Sequence, residues 1–238
     1  LTRFFIIDKT NPLNVYVIHY TKLVERKKFI DELFDSDIFK VHFLSDFDRE
    51  DLEKDFIDEV YYDDEPSYNM KSKLWKKDTK YRRLKYSEIS CELKHIQALK
   101  LISESDSEYS LIIEDDIVPL SSRYISKIVR VLKKNKNWDL LFIGEGIGKK
   151  FILNKINKKF LIKSQMLNID HPATNCAEAY LVKKEAASKI YNKIIPFNMA
   201  YDWELAYQIY RLNLKVNWYF PAIFMQGSIR GDYKSELR

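Results

Sequence analysis

The chain contains little glycine, proline and cysteine. Its 238 residues include five Gly, six Pro and two Cys. So few Gly and Pro residues exclude flexible linkers and low-complexity tracts. Cys91 and Cys176 lie too far apart in the sequence for the spacing of a zinc-binding pair or a redox pair. Because both lie among apolar residues, we expect buried free thiols, while a single disulfide stays open.

Long apolar runs and a strong charge of one sign are also missing. No run approaches the length of a membrane-spanning helix, so we expect no transmembrane segment in this chain. The net charge of +5 is too small an excess to indicate nucleic-acid binding, although it suits a small polyanionic ligand. Because the sequence begins with Leu1 rather than Met, we expect a piece of a longer protein. Localisation stays open: cytoplasmic or membrane-peripheral if the protein is bacterial.

Hydrophobic and charged residues make up 46% and 32% of the chain, which is typical of a globular protein. The pattern predicts a strand at 14–20, a helix through about residue 34, and a second strand at 38–44. Strand, helix and strand at this spacing form a βαβ unit with a parallel pair and a right-handed crossover. Such sheets bind ligands at the carboxyl ends of their strands, where His19 and Tyr20 lie.

Two segments of opposite charge follow the βαβ unit. Residues 46–65 are acidic and include apolar residues every four positions, which predicts a helix with a solvated acidic face. Residues 69–86 are basic with interspersed aromatics, and we expect a loop or a flap near a phosphate site; a polyanion-binding surface is the last alternative. We treat 46–86 as a variable charged loop region, 1–13 as a leader with an edge strand near 4–7, and 229–238 as a polar, disordered tail.

The second half of the chain continues the alternation of helices and strands. A helix is predicted from Ser87, and it carries Cys91 and His95. His95 is a candidate ligand or base, but a histidine in an amphipathic helix is more often a packing residue, and we keep that as the default. Further strands are predicted at 109–113, 138–143, 177–182 and 215–220, a hairpin at 150–169, and helices at 121–133, 184–191 and 200–211.

A glycine-rich stretch follows the strand at 138–143. Residues 144–148 read Gly-Glu-Gly-Ile-Gly. They lack the spacing of a dinucleotide-binding signature, and no clear helix follows them. We therefore expect a loop that borders a site.

The strand at 109–113 ends in three consecutive carboxylates, Glu114, Asp115 and Asp116. Adjacent carboxylates repel each other and gain nothing from packing. One interpretation is a solvated acidic turn. The other is a site for Mg²⁺ or Mn²⁺, since these hard cations take carboxylate oxygens and leave positions open for phosphate.

Asp202 lies in the first turn of the helix predicted at 200–211, with Glu204 two residues later. A negative charge is favourable there because of the helix dipole, so a purely structural role is a reasonable alternative.

Four stretches together resemble glycosyltransferase family 25. Residues 15–20 with 25–27 resemble the family's Val-Ile-Asn-Leu…Glu-Arg-Arg, and residues 88–95 resemble Glu-Ile-Gly-Cys-x-x-Ser-His. Residues 111–118 resemble Leu-Ile-Leu-Glu-Asp-Asp-Val. Residues 179–182 and Asp202 resemble Ala-Tyr-x-Ile-Ser and Val-Asp, and Pro221 and Gln226 suit the closing Pro…Gln. The Cys–His helix followed by the Glu-Asp-Asp strand is the specific part of the resemblance.

The sequence departs from the family pattern at several positions. His19 replaces the usual Asn, Ser90 the usual Gly, and Lys94 the usual Ser. Residues 176–178 read Cys-Ala-Glu where Gly-Thr-His is usual. The last departure lies near the expected acceptor side, so the donor chemistry is the firmer expectation.

The resemblance implies a single glycosyltransferase domain over 1–238, with an α/β fold of GT-A type. Its Rossmann-like central sheet would be mostly parallel and flanked by helices. The family includes lipooligosaccharide galactosyltransferases and collagen galactosyltransferase-like domains. The implied reaction is transfer of a hexose, with galactose as first candidate, from a UDP-sugar donor with inversion. The implied acceptors are a lipooligosaccharide, another glycan or hydroxylysine, and the implied cofactor is Mn²⁺ or Mg²⁺.

The expected site residues divide into three groups. Asp116 is the first choice as metal ligand, together with Glu114. Four residues are expected near the nucleotide or its metal-bound water, namely His19, Arg26, Glu114 and Asp115; for Arg26, pairing with a neighbouring acid is equally expected. Asp202 is the expected base for the acceptor hydroxyl, with Glu204 in reserve.

One alternative keeps the fold without the reaction. The departures at His19, Lys94 and Glu178 suit a non-catalytic domain of the same fold that binds a sugar nucleotide or a protein partner.

Overall fold

The computed structural model describes residues 7–75, 80–133, 137–146, 165–168 and 176–235. A seven-stranded sheet lies at its centre, and a two-stranded antiparallel sheet lies beside it. The seven strands are β1 (Leu13–Ile18), β2 (Phe39–Leu44), β3 (Tyr109–Glu114), β5 (Leu140–Phe142), β6 (Gln165–Asn168), β7 (Ala179–Lys183) and β8 (Val216–Phe220). The small sheet consists of β4 (Ile117–Pro119) and β9 (Phe224–Gln226).

The described helices are α1 (Val24–Leu33), α2 (Lys54–Val60), α3 (Glu65–Ser72), α4 (Tyr86–Glu104), α5 (Tyr124–Lys133), α6 (Lys184–Ile194), α7 (Tyr201–Arg211) and α8 (Gly227–Arg230), with a 3₁₀ turn at Lys73–Trp75. Among these residues, no helix is both long enough and apolar enough to cross a bilayer.

The strand order in the large sheet is β2-β1-β3-β7-β5-β8-β6. Five of the seven strands run in one direction; β7 is antiparallel to β3 and β5, and β6 is antiparallel to β8 at the edge. The predicted α/β class with a mostly parallel central sheet is confirmed. The predicted parallel pair of the βαβ unit is confirmed as well, with α1 connecting β1 to β2.

Both faces of the sheet are buried under helices. Tyr16 and Ile112 belong to a core with residues of α4, α6 and α7. Val15 and Leu111 point to the opposite face, where they join a core with residues of α1 and α5. This two-sided burial explains why these strands are continuous apolar runs rather than alternating ones.

Several predicted boundaries differ from the structure. The loop predicted at 69–86 is wrong in its first part, because α3 extends to Ser72. That helix begins where the Asp64 side chain accepts a hydrogen bond from the Ser67 amide, with a proline in the first turn. Helix α5 begins at Tyr124 rather than 121, and the strand predicted at 138–143 is confined to β5.

Some predictions fall outside the described residues. They concern the edge strand near 4–7, most of the hairpin at 150–169, and the end of the glycine-rich stretch. Within 150–169 only β6 is described, and it pairs with β8 rather than with a described hairpin partner. The expectation of free thiols is confirmed for Cys91 and Cys176, although Cys91 is only partly buried.

The predicted disordered tail is wrong for residues 229–235. Helix α8 ends at Gly231, whose φ of 94° suits a left-handed cap. The chain then returns to α1, where the Tyr233 ring centroid lies 5.0 Å from the Arg26 guanidinium. Arg26 Nη2 donates a hydrogen bond to the Lys234 carbonyl at 2.6 Å. A polar composition predicted disorder here, but a buried arginine holds the segment.

Candidate functional site

The candidate site lies at the carboxyl ends of β1 and β3. The parallel register pairs Ile18 with Glu114, so the residues that follow them emerge side by side. The Asp115 amide donates to the Ile18 carbonyl at 3.1 Å, which continues the pairing one step past β3. The topology therefore brings His19 next to the acidic triplet, as the sequence predicted for a strand-end site.

Asp115 is fully engaged by its neighbours. Its Oδ2 lies 2.9 Å from His19 Nδ1 and accepts from the Tyr20 amide at 3.3 Å. Its Oδ1 accepts from Arg26 Nη1 at 2.8 Å. All three side chains of this network, His19, Arg26 and Asp115, are buried. The geometry therefore does not support the predicted contact between Asp115 and a nucleotide. Arg26 forms an ion pair, as one of its two predicted roles required, but its partner is Asp115 rather than an acid close to it in the sequence.

Asp116 has the opposite surroundings. It is 5% exposed, and its Oδ1 has no hydrogen-bond partner among the described residues. Burial raises the pKa of its carboxyl, with the Asp115 charge adding to the effect, while hydrogen bonds from Ser228 and the charge of Arg26 lower it. A buried carboxylate oxygen without a partner is what a hard divalent cation would satisfy.

Glycine is required where α8 meets Asp116. The Gly227 amide donates to the Asp116 carbonyl at 2.6 Å. A Cβ at Gly227 would lie 2.7 Å from that oxygen and 2.6 Å from the Tyr233 ring. Because real Cβ atoms do not approach so closely, Gly227 fixes how near the C-terminal segment comes to the acidic triplet.

Glu114 is influenced both by its neighbours in the triplet and by two acids from elsewhere in the chain, Glu178 and Asp202. Its Oε2 accepts from Gln226 Nε2 at 3.1 Å, and its Oε1 lies 3.8 Å from His95 Nε2. Burial raises the pKa of Glu114 well above its usual value, and the charges of Asp116, Glu178, Asp202 and Asp115 add to this. A bound cation would reverse this effect, because it would favour the ionised carboxylates.

The interpretation of the triplet as a solvated acidic turn is wrong. Asp115 and Asp116 are 6% and 5% exposed, and Glu114 is only partly exposed. Buried carboxylates need partners. Asp115 has them within the protein, whereas Asp116 lacks one for Oδ1.

Asp202 lies in the first turn of α7, as predicted, and lines the same cavity as Glu114. Its Oδ1 accepts from the Trp203 amide at 2.9 Å. Burial raises the pKa of Asp202 to about 7; hydrogen bonds from backbone amides lower it, and the charges of Glu178 and Glu88 raise it. A carboxyl group with a pKa near neutrality can exchange protons at physiological pH, which suits the predicted role as a base.

Glu204 does not suit the reserve role. It is fully buried, and both of its carboxylate oxygens accept from Lys71 Nζ, at 2.9 and 2.7 Å. Gln208 Nε2 donates to Oε1 at 3.0 Å. An acceptor hydroxyl could reach this carboxylate only if the buried ion pair opened, which is energetically costly. These contacts indicate a structural role for Glu204 rather than the predicted catalytic one.

Two adjoining cavities surround these residues. The smaller one, of about 90 Å³, is lined by His19, Arg26, Asp115 and Asp116 among others. The larger one, of about 770 Å³, is lined by Glu178 and Asp202 among others. Cys91, Glu114, Gln226 and Ser235 line both cavities. The predicted metal ligands and the predicted base therefore face one continuous region.

Lys94, one of the departures from the family pattern, has a structural explanation. Its Nζ is buried, donates to the His19 carbonyl at 2.6 Å and pairs with Asp48. Asp48 in turn accepts from the amide and hydroxyl of Thr21. The network fixes the backbone at 19–21, part of which forms the wall of the smaller cavity. Its charge is compensated by Asp48, so Lys94 does not act as a free cation.

Glu178, also a departure, lies in the larger cavity and is buried. Its Oε1 accepts from the Gly146 amide at 2.9 Å, and a Cβ at Gly144 would lie 2.3 Å from the same atom. The described part of the glycine-rich stretch, 144–146, therefore packs against Glu178, a residue that lines the larger cavity. Whether the stretch borders a site stays a prediction. The sequence flagged Glu178 as unusual but did not indicate that it faces Asp202.

His95 packs inside the protein. It is fully buried, and its ring stacks on Tyr201 at a centroid distance of 3.7 Å and an interplanar angle of 7°. Burial lowers the pKa of His95 to about 3, which makes the ring neutral. Burial also raises the pKa of the nearby Cys91 thiol well above its usual value. Burial and stacking agree with the packing role expected by default. However, a packing histidine should have satisfied nitrogens, and both ring nitrogens of His95 lack hydrogen-bond partners among the described residues.

Half of the basic residues that the structure describes in segment 69–86 are paired with acids. Lys71 is buried against Glu204, Arg82 pairs with Glu88, and Arg83 lies 3.5 Å from Asp63. The other three, Lys73, Lys80 and Lys85, are exposed. The three pairs lower the positive charge that the segment offers to a polyanion, because a polyanion site needs uncompensated cations.

Of three comparisons with known proteins, one identifies the family of the chain. The chain resembles the solved structure of the galactosyltransferase LgtC in complex with donor and acceptor sugar analogs, with a TM-score of 0.41 and 10% identity over 87% of this chain and 73% of that chain. A likeness this distant carries no argument about function. No curated protein matches the chain. The model of glycosyltransferase family 25 (LPS biosynthesis protein) matches residues 13–205. That match spans most of the sequence and includes the Cys–His helix, the acidic triplet and Asp202, so the chain belongs to glycosyltransferase family 25.

Proposed function

We propose that this glycosyltransferase moves a hexose, with galactose as first candidate, from a UDP-sugar to an acceptor hydroxyl with inversion and with the help of a divalent metal. The observation that carries the proposal is the buried Asp116 carboxylate at the carboxyl ends of β1 and β3, whose Oδ1 has no hydrogen-bond partner among the described residues. Asp202 faces the adjoining cavity from α7. These two positions support the assignment of a leaving-group side and an acceptor side.

The donor side is the smaller cavity beside Asp116. Asp116 and the free face of Glu114 would hold Mn²⁺ or Mg²⁺, which when bound neutralises the charge that develops on the diphosphate leaving group. His19 and Arg26 act indirectly, since they fix Asp115 and with it the backbone that presents Asp116. Arg26 also holds the C-terminal segment over this cavity through the Lys234 carbonyl.

The acceptor side is the larger cavity. Inversion needs a base that removes the acceptor proton on the face of the sugar opposite the leaving group. Asp202 lines this cavity together with Glu114, and its pKa of about 7 lets it accept that proton near neutral pH. Glu178 lines the same cavity, and the Gly146 amide donates a hydrogen bond to its Oε1. We propose a lipooligosaccharide, another glycan or hydroxylysine as the acceptor.

The test is hydrolysis of a panel of UDP-sugars by the purified protein, followed as released UDP with and without Mn²⁺. We expect release from one UDP-hexose, dependent on Mn²⁺ and lost on chelation. With an acceptor that supports transfer, the anomeric configuration of the product read by NMR should be inverted relative to the donor. Metal-independent release or retained configuration would contradict the proposed mechanism.

A non-catalytic binding domain is the second candidate. The observation that favours it is that two charged residues lining the smaller cavity already form ion pairs within the protein. Asp115 pairs with Arg26, and Lys94 pairs with Asp48. Such a domain would bind a UDP-sugar in a calorimetric titration and release no UDP across the panel. The same protein sample thus separates the two candidates.

A further inference from the structure

A sulfur, an imidazole and a carboxylate converge at the wall that the two cavities share. Cys91 and His95 are four residues apart on α4, which puts them on one face of the helix. Glu114 reaches the same place from the end of β3. One potential ligand atom from each residue lies within 4.8 Å of the other two.

His95 provides an independent indication of a ligand. It is completely buried, and neither ring nitrogen has a hydrogen-bond partner among the residues that the structure describes. Its Nε2 lies 3.8 Å from Glu114 Oε1, which is too long for a hydrogen bond. Stacking on Tyr201 satisfies the faces of the ring but not its nitrogens. A buried polar atom without a partner costs stability unless something else coordinates it.

Glu114 is oriented so that one oxygen is available. Gln226 Nε2 holds Oε2 at 3.1 Å, and Oε1 faces His95. The potential ligand atoms around Glu114 thus include a sulfur and a nitrogen, whereas Asp116 offers a carboxylate oxygen.

We propose that Cys91, His95 and Glu114 form a binding site for a thiophilic divalent cation such as Zn²⁺. This site shares Glu114 with the proposed oxygen site but does not include Asp116. Zn²⁺ is commonly held by thiolate, imidazole and carboxylate, whereas Mn²⁺ and Mg²⁺ prefer oxygen alone. The Cys91 thiol releases its proton to solvent when it coordinates the cation.

The site has three protein ligands and an open side. Because Cys91 and Glu114 line both cavities, the fourth coordination position faces the region that we assign to donor and acceptor. Three ligands with an open position are typical of exchangeable rather than purely structural zinc sites. The site is therefore accessible to a small ligand or to water.

Cobalt(II) tests the proposal, because a cobalt–thiolate bond gives a charge-transfer absorption in the near ultraviolet. The purified chain is freed of metal with a chelator and titrated with Co²⁺ in the absence of any sugar nucleotide. We expect this absorption to saturate at one equivalent and to disappear when Zn²⁺ is added. No thiolate absorption in the wild-type chain would overturn the proposal.

The chain supplies a matched control, since it has a second cysteine. Cys91→Ser should abolish the absorption, whereas Cys176→Ser should leave it unchanged. His95→Gln should weaken cobalt binding and alter the visible ligand-field bands while circular dichroism shows an intact fold. Absorption that survives in Cys91→Ser would place the cobalt elsewhere and refute the site.

The independence from Asp116 can be tested in the same way. Asp116→Asn should keep the cobalt–thiolate absorption, and its loss in that variant would contradict a site that does not include Asp116. Because cobalt is measured without a donor, failure here leaves the proposed transfer reaction untouched. Likewise, a chain without transferase activity could still show the thiolate site.

Discussion

Asp115 and Asp116 are neighbours in the sequence with the same side chain, yet their surroundings are opposite. Asp115 has both oxygens bonded, to His19 and the Tyr20 amide on one side and to Arg26 on the other. Asp116 is equally buried, but its Oδ1 has no hydrogen-bond partner in the part of the chain that the structure describes, and burial raises its pKa. The difference teaches that an acidic motif does not act as one unit, because one residue anchors the strand end while the next keeps an oxygen that we propose for a ligand.

The same contrast extends to the two acids of α7. Glu204 is buried in an ion pair with Lys71, whereas Asp202 faces the cavity with a pKa raised to about 7. Each pair therefore contains one carboxylate that is fully paired inside the protein and one that we propose to be reactive. The four predictions below test this division, from the largest expected effect to the smallest.

Asp116→Asn should reduce Mn²⁺-dependent UDP release by on the order of 100-fold or more, because it removes the carboxylate charge at the proposed metal position. The measurement is the initial rate of UDP release at saturating donor. The matched control is Asp58→Asn on the exposed face of α2, which should be as active as the wild type. Near-normal turnover of the Asp116 variant would remove this residue from the proposed metal site.

Asp115→Asn should lower the free energy of unfolding by about 3 kcal/mol, because it leaves the buried Arg26 guanidinium without its counter-charge. Denaturant titration without metal measures this. Asp116→Asn should be neutral or stabilising in the same experiment, since a raised pKa means that folding disfavours the ionised carboxylate. Losses of equal size in both variants would show that the two residues do not differ as described.

Mn²⁺ should stabilise the wild-type chain by about 2.7 kcal/mol at a concentration 100 times its dissociation constant, because it binds only the folded state. Thermal unfolding with and without Mn²⁺ measures the shift. Asp58→Asn should keep the full shift, and Asp116→Asn should lose it. A full shift in the Asp116 variant would mean that the metal binds elsewhere.

The kcat/KM for transfer should rise about tenfold per pH unit up to about pH 7 and then level off. The proposed base works as a carboxylate, and the pKa of Asp202 is raised to about 7, so acidic pH protonates it. A pH profile of the wild type measures this. Asp202→Asn should lose transfer, and its residual activity should not show this rise. A wild-type profile that is flat between pH 5 and 8 would exclude Asp202 as the base.

Much of the fold could be predicted from local sequence. The buried strands at 14–20 and 109–113 were recognisable because residues apolar on both faces have no other stable location than a covered sheet. The predicted boundaries differ from the observed ones where a capping hydrogen bond determines the end of a helix. Helix α3, for example, begins where the Ser67 amide donates a hydrogen bond to Asp64. The segment 229–235 was misjudged because its order depends on Arg26, about 200 residues earlier in the chain.

The sites were predictable in part. The acidic triplet and Asp202 stood out by residue type and position, and the topology does bring them to one region. Glu178 and Gln226 reach that region only through sheet pairing, so no local pattern marked what they face. Glu204 showed the opposite error, because its position in the first turn of α7 resembled that of Asp202 while its side chain points at Lys71.

The sequence by itself determined the family, the α/β alternation and the presence of three acids at a strand end, since these follow from residue types and their spacing. Only the tertiary structure decided which of these acids is free. That choice depends on Arg26, His19 and Gln226, which lie far away in the chain and meet the carboxylates only after folding. Partners at hydrogen-bond distance set the charge state and availability of a carboxylate, and sequence spacing does not contain those distances.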